Sequence, residues 1–148
     1  MGFKFNFSTL LKTRKISEEM AKKVFAEAEA NVENSKSKIN HMWSEIDLAR
    51  QRAYEIQSSG AAIAVELEGF DHFVSGLKVK IESERNVLRE LLAIAEEKRE
   101  LLVEASKEHK ALLKLKEKMY FRYKKAKEKK EQKQMDDMAT MRFKRASR

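Results

Sequence analysis

The chain of 148 residues has no proline and no cysteine, and it has only four glycines. Without proline, no position forbids a helix or forces it to stop. Without cysteine there is no disulfide framework, no thiolate nucleophile and no cysteine metal site. The sequence also lacks the ~18 consecutive apolar residues of a membrane span and the apolar core of a signal peptide. These absences favour a helical protein of a reducing cytosol that touches membranes only at their surface.

The residues that are abundant are those of long helices. Ala (16), Glu (20), Lys plus Arg (32) and Leu (13) together make up 81 of the 148 residues. When such a composition is combined with helical periodicity, it is typical of a coiled coil. The sequence therefore predicts an all-α rod rather than a compact globule.

Two apolar seams run along the chain in alternating steps of three and four residues. The first begins at Phe25 and continues through Ala28, Val32, Ser35, Ile39, Met42, Ile46, Ala49, Ala53 and Ile56. The second begins at Phe70 and continues through Val74, Leu77, Ile81, Glu84, Leu88, Leu91, Ala95, Lys98, Leu102, Ala105, His109, Leu112, Lys116, Met119, Tyr123 and Ala126. Each seam needs a partner helix to cover it.

The stretch between the seams predicts a bend. Gly60, Gly69 and Gly76 lie within seventeen positions, where each would weaken a continuous helix, and the run 56–65 carries no charge. The alternative is a single long helix that dimerises in parallel. An antiparallel hairpin is favoured because of the glycines, the uncharged run and a check on the register. A bend near residue 64 or 65 makes the numbers of facing residues sum to about 129. That register brings the N-terminal phenylalanines toward the aromatics Tyr120, Phe121 and Tyr123.

We therefore expect one coiled-coil domain, a long antiparallel two-helix hairpin with a projecting C-terminal helix or tail. Arm one covers about 8–57, the bend about 58–69, arm two about 70–128, and a basic extension 129–148. A hydroxyl at Ser8-Thr9 or at Ser17 caps the first helix, and the earlier start is favoured. The bend apex falls between Ser58 and Glu68.

The extension has no predicted partner within the chain. From Lys116 to Arg148 there are 13 basic and 5 acidic residues, so this end holds the whole net charge of +8. Methionines recur there at Met135, Met138 and Met141, which suits a partner-binding stripe. Clustered lysines also permit nucleic-acid binding, but no recognition helix or stacking platform accompanies them, and an acidic protein surface is the favoured target.

No catalytic or metal constellation is present in the sequence. His41, His72 and His109 are far apart, and none has another histidine three or four residues away as a matching ligand. No phosphate-binding glycine loop occurs either. We expect no enzyme activity, no metal and no cofactor.

Three apolar residues near the bend form a candidate docking patch, because a two-helix structure has little inner surface there to hide them. They are Phe70, Phe73 and Leu77. The equally open alternative is that they plug the end of the hairpin.

Three sets of residues form a pattern that spans nearly the whole chain. The opening set is Phe5, Phe7, Leu11, Arg14 and Glu18. The mid-chain set is Phe70, Phe73 and Leu77. The most specific set is the ending: Glu131, Lys133, Met135, Asp136, Asp137, Ala139 and Arg142. On these residues the chain resembles the flagellar export family FliJ. The basic run 124–130 and the uncharged bend depart from the family pattern.

The resemblance implies a non-enzymatic stalk of the flagellar type III export apparatus that couples the export ATPase ring to the export gate and handles export chaperones. It implies partners in the export ATPase and its regulator, the cytoplasmic domain of the gate, and the chaperones. The protein would be monomeric alone and peripheral at the inner face of the cell membrane. The implied gate contacts at the bend are Phe70, Phe73 and Leu77. The implied ATPase contacts lie at the open end of the hairpin, which holds both termini. They are Phe7, Leu11, Arg14, Lys133, Met135, Asp136, Met138 and Arg142. The equivalent stalk of a virulence type III system and a basic nucleic-acid-binding coiled coil are the alternatives.

Overall fold

The computed structural model describes residues 2–60 and 64–148. Within those ranges it has two α-helices and no strand: α1 covers Ser8–Ser58 and α2 covers Ala64–Ala146. The helices pack against each other, and the residue numbers that meet rise along α1 as they fall along α2. Ile46 packs with Leu77 and Ile81, and Ser35 bonds Glu84. The predicted all-α antiparallel hairpin is confirmed.

The connection between the helices starts at Gly60. The Ser59 N–H donates to the Glu55 carbonyl oxygen at 3.0 Å, and the Gly60 N–H donates to the Gln57 carbonyl oxygen at 3.4 Å. Gly60 has a φ of 72°, the left-handed conformation that favours glycine after a helix end. Residues 61–63, which belong to the expected bend and its uncharged run, lie outside the described residues. α1 therefore ends with a glycine C-cap.

Gly69 and Gly76 do not break the second helix. α2 begins at Ala64, so both glycines and the expected bend residues 64–69 are helical. Gly69 was expected in the bend and is helical instead, whereas Gly76 lies in the second helix, as the expected start of arm two near residue 70 implies. A helical glycine costs about 1 kcal/mol relative to alanine, which a helix with packed neighbouring turns can absorb.

Both predicted seams are the faces that the helices bury. All ten positions of the first seam, from Phe25 to Ile56, are buried or half-buried. In the second seam every position from Phe70 to Leu112 is also buried or half-buried, as are Met119 and Tyr123, whereas Lys116 and Ala126 are exposed. The heptad pattern therefore predicted which side of each helix meets the other.

The register differs from the predicted one. Ile46 packs with Leu77 and Ile81, and Ser35 bonds Glu84, so facing numbers sum to between 119 and 127 rather than to about 129. His41 and Met42 accordingly share a surface groove with Lys80, Ser83 and Glu84 instead of facing residue 88. Seam positions recur every three or four residues on both helices, so a shift of a few residues still brings seam to seam. The seams were therefore right although the pairing along them was wrong.

The chain divides into two compact units, which we call the core unit, Met20–Val103, and the terminal unit, Met1–Glu19 with Glu104–Arg148. In the core unit, Ile46, Leu77 and Ile81 are at most 6% exposed and form the hydrophobic core. Ile39, Met42, Trp43 and Val74 pack against that core. Ser35 is buried in this unit, and its hydroxyl donates to the Glu84 carboxylate at 2.8 Å.

The terminal unit is held by aromatic and polar pairs. The ring of Phe3 lies 5.5 Å from that of Tyr120 and 5.6 Å from that of Tyr123, as the aromatic match predicts. Phe5 is buried. His109 Nδ1 lies 2.5 Å from Glu18 Oε2, with both side chains largely buried. A polar position of the second seam is thus satisfied by a polar residue of α1.

Candidate partner-binding surfaces

The described side chains offer no site for metal chemistry. In residues 2–60 and 64–148 no group of three or more His, Asp or Glu side chains could hold a metal ion. His109 is engaged with Glu18, and His41 lies 3.5 Å from Glu45 on the same helix. Across the same residues neither helix has a stretch long and apolar enough to cross a membrane.

The last 23 residues of α2, 124–146, are the first candidate surface, and we call them the C-terminal segment. Every residue from 124 to 148 is exposed. The segment nevertheless carries four large apolar side chains, Met135, Met138, Met141 and Phe143, each at least 56% exposed. A helix of that length spans about 35 Å, and an isolated one is marginal in water. Its apolar side chains are thus open to a partner.

The C-terminal segment is also strongly basic. Residues 124–148 contain 10 Lys or Arg and 4 Asp or Glu, a net charge of +6. Lys144 and Arg145 occupy the last turn, where cations favour the helix dipole. The ion pair of Lys127 Nζ with Glu131 Oε1, at 3.8 Å, lies between two exposed side chains. The charge is therefore carried at the surface and favours an acidic partner.

The terminal unit also contains the N-terminal residues expected to bind the ATPase. Phe7 is 46% exposed, Leu11 is half-buried, and Arg14 Nη1 donates to Glu108 Oε2 at 2.6 Å. Arg14 therefore fastens α1 to α2, and Phe7 offers the more accessible apolar surface. The remaining expected residues, Lys133, Met135, Asp136, Met138 and Arg142, are all exposed on the C-terminal segment.

The expected bend patch is only partly at the surface. Phe73 is 48% exposed and Phe70 is half-buried, but Leu77 is 6% exposed and belongs to the core with Ile46 and Ile81. Seam periodicity explains the difference, because Leu77 is a seam position and Phe73 lies beside the seam. Of the three residues, Phe73 presents the most surface, and Leu77 supports the helix from beneath.

A groove that the sequence did not reveal lies next to Phe73. It encloses about 730 Å³ in the core unit. It is lined by Glu45, Leu48, Ala49, Arg52, Ile56, Glu66, Gly69, Phe70 and Phe73. Leu48 is off the first seam and 54% exposed, which was the available sequence signal, but only the register shows that it shares a surface with Gly69 and Phe73.

The chain matches a known protein family. The family model described as "Flagellar FliJ protein" covers residues 3–148, nearly the whole chain. No curated protein and no solved structure matches the chain. The matched range includes both helices and the C-terminal segment.

Proposed function

Because the chain belongs to the flagellar FliJ family, we propose that it couples the flagellar export ATPase ring to the export gate as a stalk-like part and handles export chaperones. Membership makes the chain a component of the flagellar export apparatus, and the family is non-catalytic. In the proposal the protein is a monomer when alone. The apparatus recruits it to the inner face of the cell membrane, where it works through contacts rather than chemistry.

The exposed apolar surface of the C-terminal segment is the observation that carries the proposal. Its four large apolar side chains are exposed, whereas the seam residues of the same helix from Phe70 to Leu112 are buried or half-buried. Met side chains are flexible and polarisable, so they adapt to irregular partner surfaces. We assign the ATPase contact to Met135, Met138, Lys133, Asp136 and Arg142, with Phe7 and Leu11 as further contacts.

Arg14 has a different place in this proposal from that of the exposed residues. Its guanidinium is 2.6 Å from the Glu108 carboxylate, so it holds the N-terminal end of α1 to α2. Its contribution to the ATPase contact is then to position Phe7 and Leu11.

Phe73 is the centre of the proposed gate contact. Its ring is about half exposed, with Phe70 beside it and Leu77 buried in the core. A large aromatic side chain that is both exposed and fixed by a rigid helix is a favourable anchor for a partner. Leu77 then supports the contact through packing.

The ATPase contact is tested by the rate of ATP hydrolysis of the partner ATPase. Removal of 129–148, or the pair Met135→Gln and Met138→Gln, should abolish or strongly reduce stimulation by this protein. Gln keeps high helix propensity, so the double variant changes the surface rather than the helix. The matched control is Val79→Gln with Leu101→Gln, two exposed apolar residues of α2 in the core unit. Full stimulation by both C-terminal variants would refute this contact.

The gate contact is tested by binding to the cytoplasmic domain of the export gate. Phe73→Ala should weaken binding at least about tenfold, the loss typical of an interface anchor. Val79→Ala, which removes a 71% exposed apolar residue from the same helix, should leave the affinity within about twofold. Equal affinities for the two variants would place the gate contact elsewhere.

A further inference from the structure

The groove beside Phe73 is shaped for an inserted apolar surface. Leu48 on α1 and Phe73 on α2 are each about half exposed at its margins, and Ala49 is buried beneath. Ile56 and Phe70, both half-buried, complete its apolar lining. A volume of about 730 Å³ exceeds that of one side chain and matches several side chains presented by one face of a helix.

Gly69 keeps the groove open. It lines the groove within α2, and a Cβ added there would have nothing within 4 Å. Its φ is not in the left-handed region, since Gly60 is the glycine with positive φ among the described residues. Neither backbone geometry nor close packing inside the described chain therefore requires glycine here. What the missing side chain provides is space in the groove.

The region around the groove is acidic in a basic protein. Residues 45–73 contain six acidic residues, Glu45, Asp47, Glu55, Glu66, Glu68 and Asp71, and two basic residues, Arg50 and Arg52. Their net charge is −4. Because the whole chain has a net charge of +8, the residues outside 45–73 carry +12. Glu45 and Glu66 line the groove itself, one from each helix, with Arg52 as its basic lining residue.

We propose that this groove binds a basic amphipathic α-helix of a partner protein. Apolar side chains spaced i, i+3 and i+4 enter between Leu48 and Phe73 over Gly69, and flanking Lys or Arg side chains pair with Glu45 and Glu66. The inference deepens the gate contact and rests on that proposed function only for the identity of the partner. Whether a basic amphipathic helix fits the groove depends on the lining residues of the groove and not on which protein carries the helix.

Two glycine variants test the proposal with a built-in control. Gly69→Leu fills the groove, and Gly76→Leu adds the same side chain to α2 at a position outside it, where a Cβ also has open space. Both changes raise helix propensity, so neither should unfold the chain, and thermal melting checks this. The probe is a labelled 18-residue amphipathic peptide of Leu and Lys, and fluorescence anisotropy measures its affinity.

The expected result is that Gly69→Leu weakens peptide binding at least about tenfold whereas Gly76→Leu stays within about twofold of the unmodified chain. The same peptide with Glu in place of Lys should bind at least about tenfold more weakly, and added salt should weaken the Lys peptide. Equal affinities for the two glycine variants, or equal affinities for the two peptides, would overturn the proposal. A concentration-dependent dimer that sedimentation detects and Gly69→Leu abolishes would also overturn it, since the occupant would then be a second copy of this chain.

The gate domain distinguishes this inference from the proposed function. If Gly69→Leu weakens the binding of the peptide and of the gate domain alike, both proposals are supported. If it weakens peptide binding and leaves gate binding unchanged, the groove proposal stands and the gate contact does not use it.

Discussion

Two stretches of α2 share one conformation and differ in what surrounds them. Between Phe70 and Val103 the helix turns one residue in every three or four toward α1, and that residue is buried or half-buried. From 124 to 146 it continues as helix with every residue exposed, although Met135, Met138, Met141 and Phe143 are as apolar as many seam residues. The first stretch has its partner inside the chain. The second has apolar side chains that the described residues leave exposed.

The difference lies in the length of the arms. α1 contributes 51 residues and α2 contributes 83, so an antiparallel pair must leave one end of α2 without a partner from α1. Burial of the second seam also becomes incomplete toward this end of α2, since Lys116 and Ala126 are exposed although Met119 and Tyr123 are half-buried. Unequal arms therefore create the surface to which we assign the ATPase contact.

The largest effect on stability is expected from a charge placed in the hydrophobic core of the core unit. Ile46 is fully buried against Leu77 and Ile81, so Ile46→Asp places a carboxylate among apolar side chains. We expect a loss of at least about 4 kcal/mol in the free energy of unfolding, enough to unfold the hairpin. Circular dichroism melting measures it. Met138→Asp, at an exposed position of the C-terminal segment, is the control and should melt as the unmodified chain does. A sharp, unshifted melt of Ile46→Asp would contradict this core.

A smaller effect is expected at the polar position of the same seam. Ser35→Ala removes the hydroxyl that donates to Glu84 and leaves a half-buried carboxylate without that donor. The free energy of unfolding should fall by about 1 kcal/mol. Ser37→Ala, two residues away and exposed, should change it by less than about 0.5 kcal/mol. Chemical denaturation of both variants measures the difference, and equal stabilities would show that the bond does not stabilise the seam.

Removal of residues 129–148 should have almost no effect on the free energy of unfolding of the hairpin. The described residues from 129 to 148 are all exposed, so their removal uncovers little apolar surface. The midpoint of chemical denaturation should move by less than the equivalent of about 0.5 kcal/mol, and the helix signal should fall by the share of the removed residues. A clear loss of stability would mean that the C-terminal segment supports the hairpin.

The smallest effect concerns pH. Arg99 donates two hydrogen bonds to the Glu96 carboxylate, at 2.6 and 2.9 Å, and these lower the pKa of Glu96. A lowered pKa in the folded state stabilises the fold above the unfolded-state pKa, and the contribution is lost as pH falls through the folded-state pKa. Both side chains are more than half exposed, so water screens the pair and the contribution is small. Glu96→Gln should lower the melting temperature slightly at neutral pH and leave it unchanged in acid. A difference that persists in acid would have another cause.

Much of this fold was predictable because heptad spacing is local information. The seam from Phe25 to Ile56 identified the buried face of α1, and the aromatic match identified Phe3 with Tyr120 and Tyr123. The pairing along the seams was not predictable, since a shift of a few residues still brings seam to seam. Gly69 misled because a glycine is tolerated inside a helix whose neighbouring turns are packed.

The candidate surfaces were predictable to a lesser extent. Met135 and Met138 were recognisable because they form a stripe outside any seam, and the structure leaves them exposed. Leu77 was expected both in the seam and in the docking patch, and the structure buries it in the core. The groove over Gly69 needs residues from both helices, so no single stretch of sequence contains it.

Hydrogen exchange of the backbone amides, with and without the export ATPase, tests the central claim most directly. The account predicts slow exchange for the core unit in both conditions. It predicts fast exchange from 124 to 146 in the free chain and clear protection of Met135 to Met141 in the complex. Protection of that segment in the free chain, or exchange that the ATPase leaves unchanged, would contradict the claim that the C-terminal segment is the surface awaiting this partner.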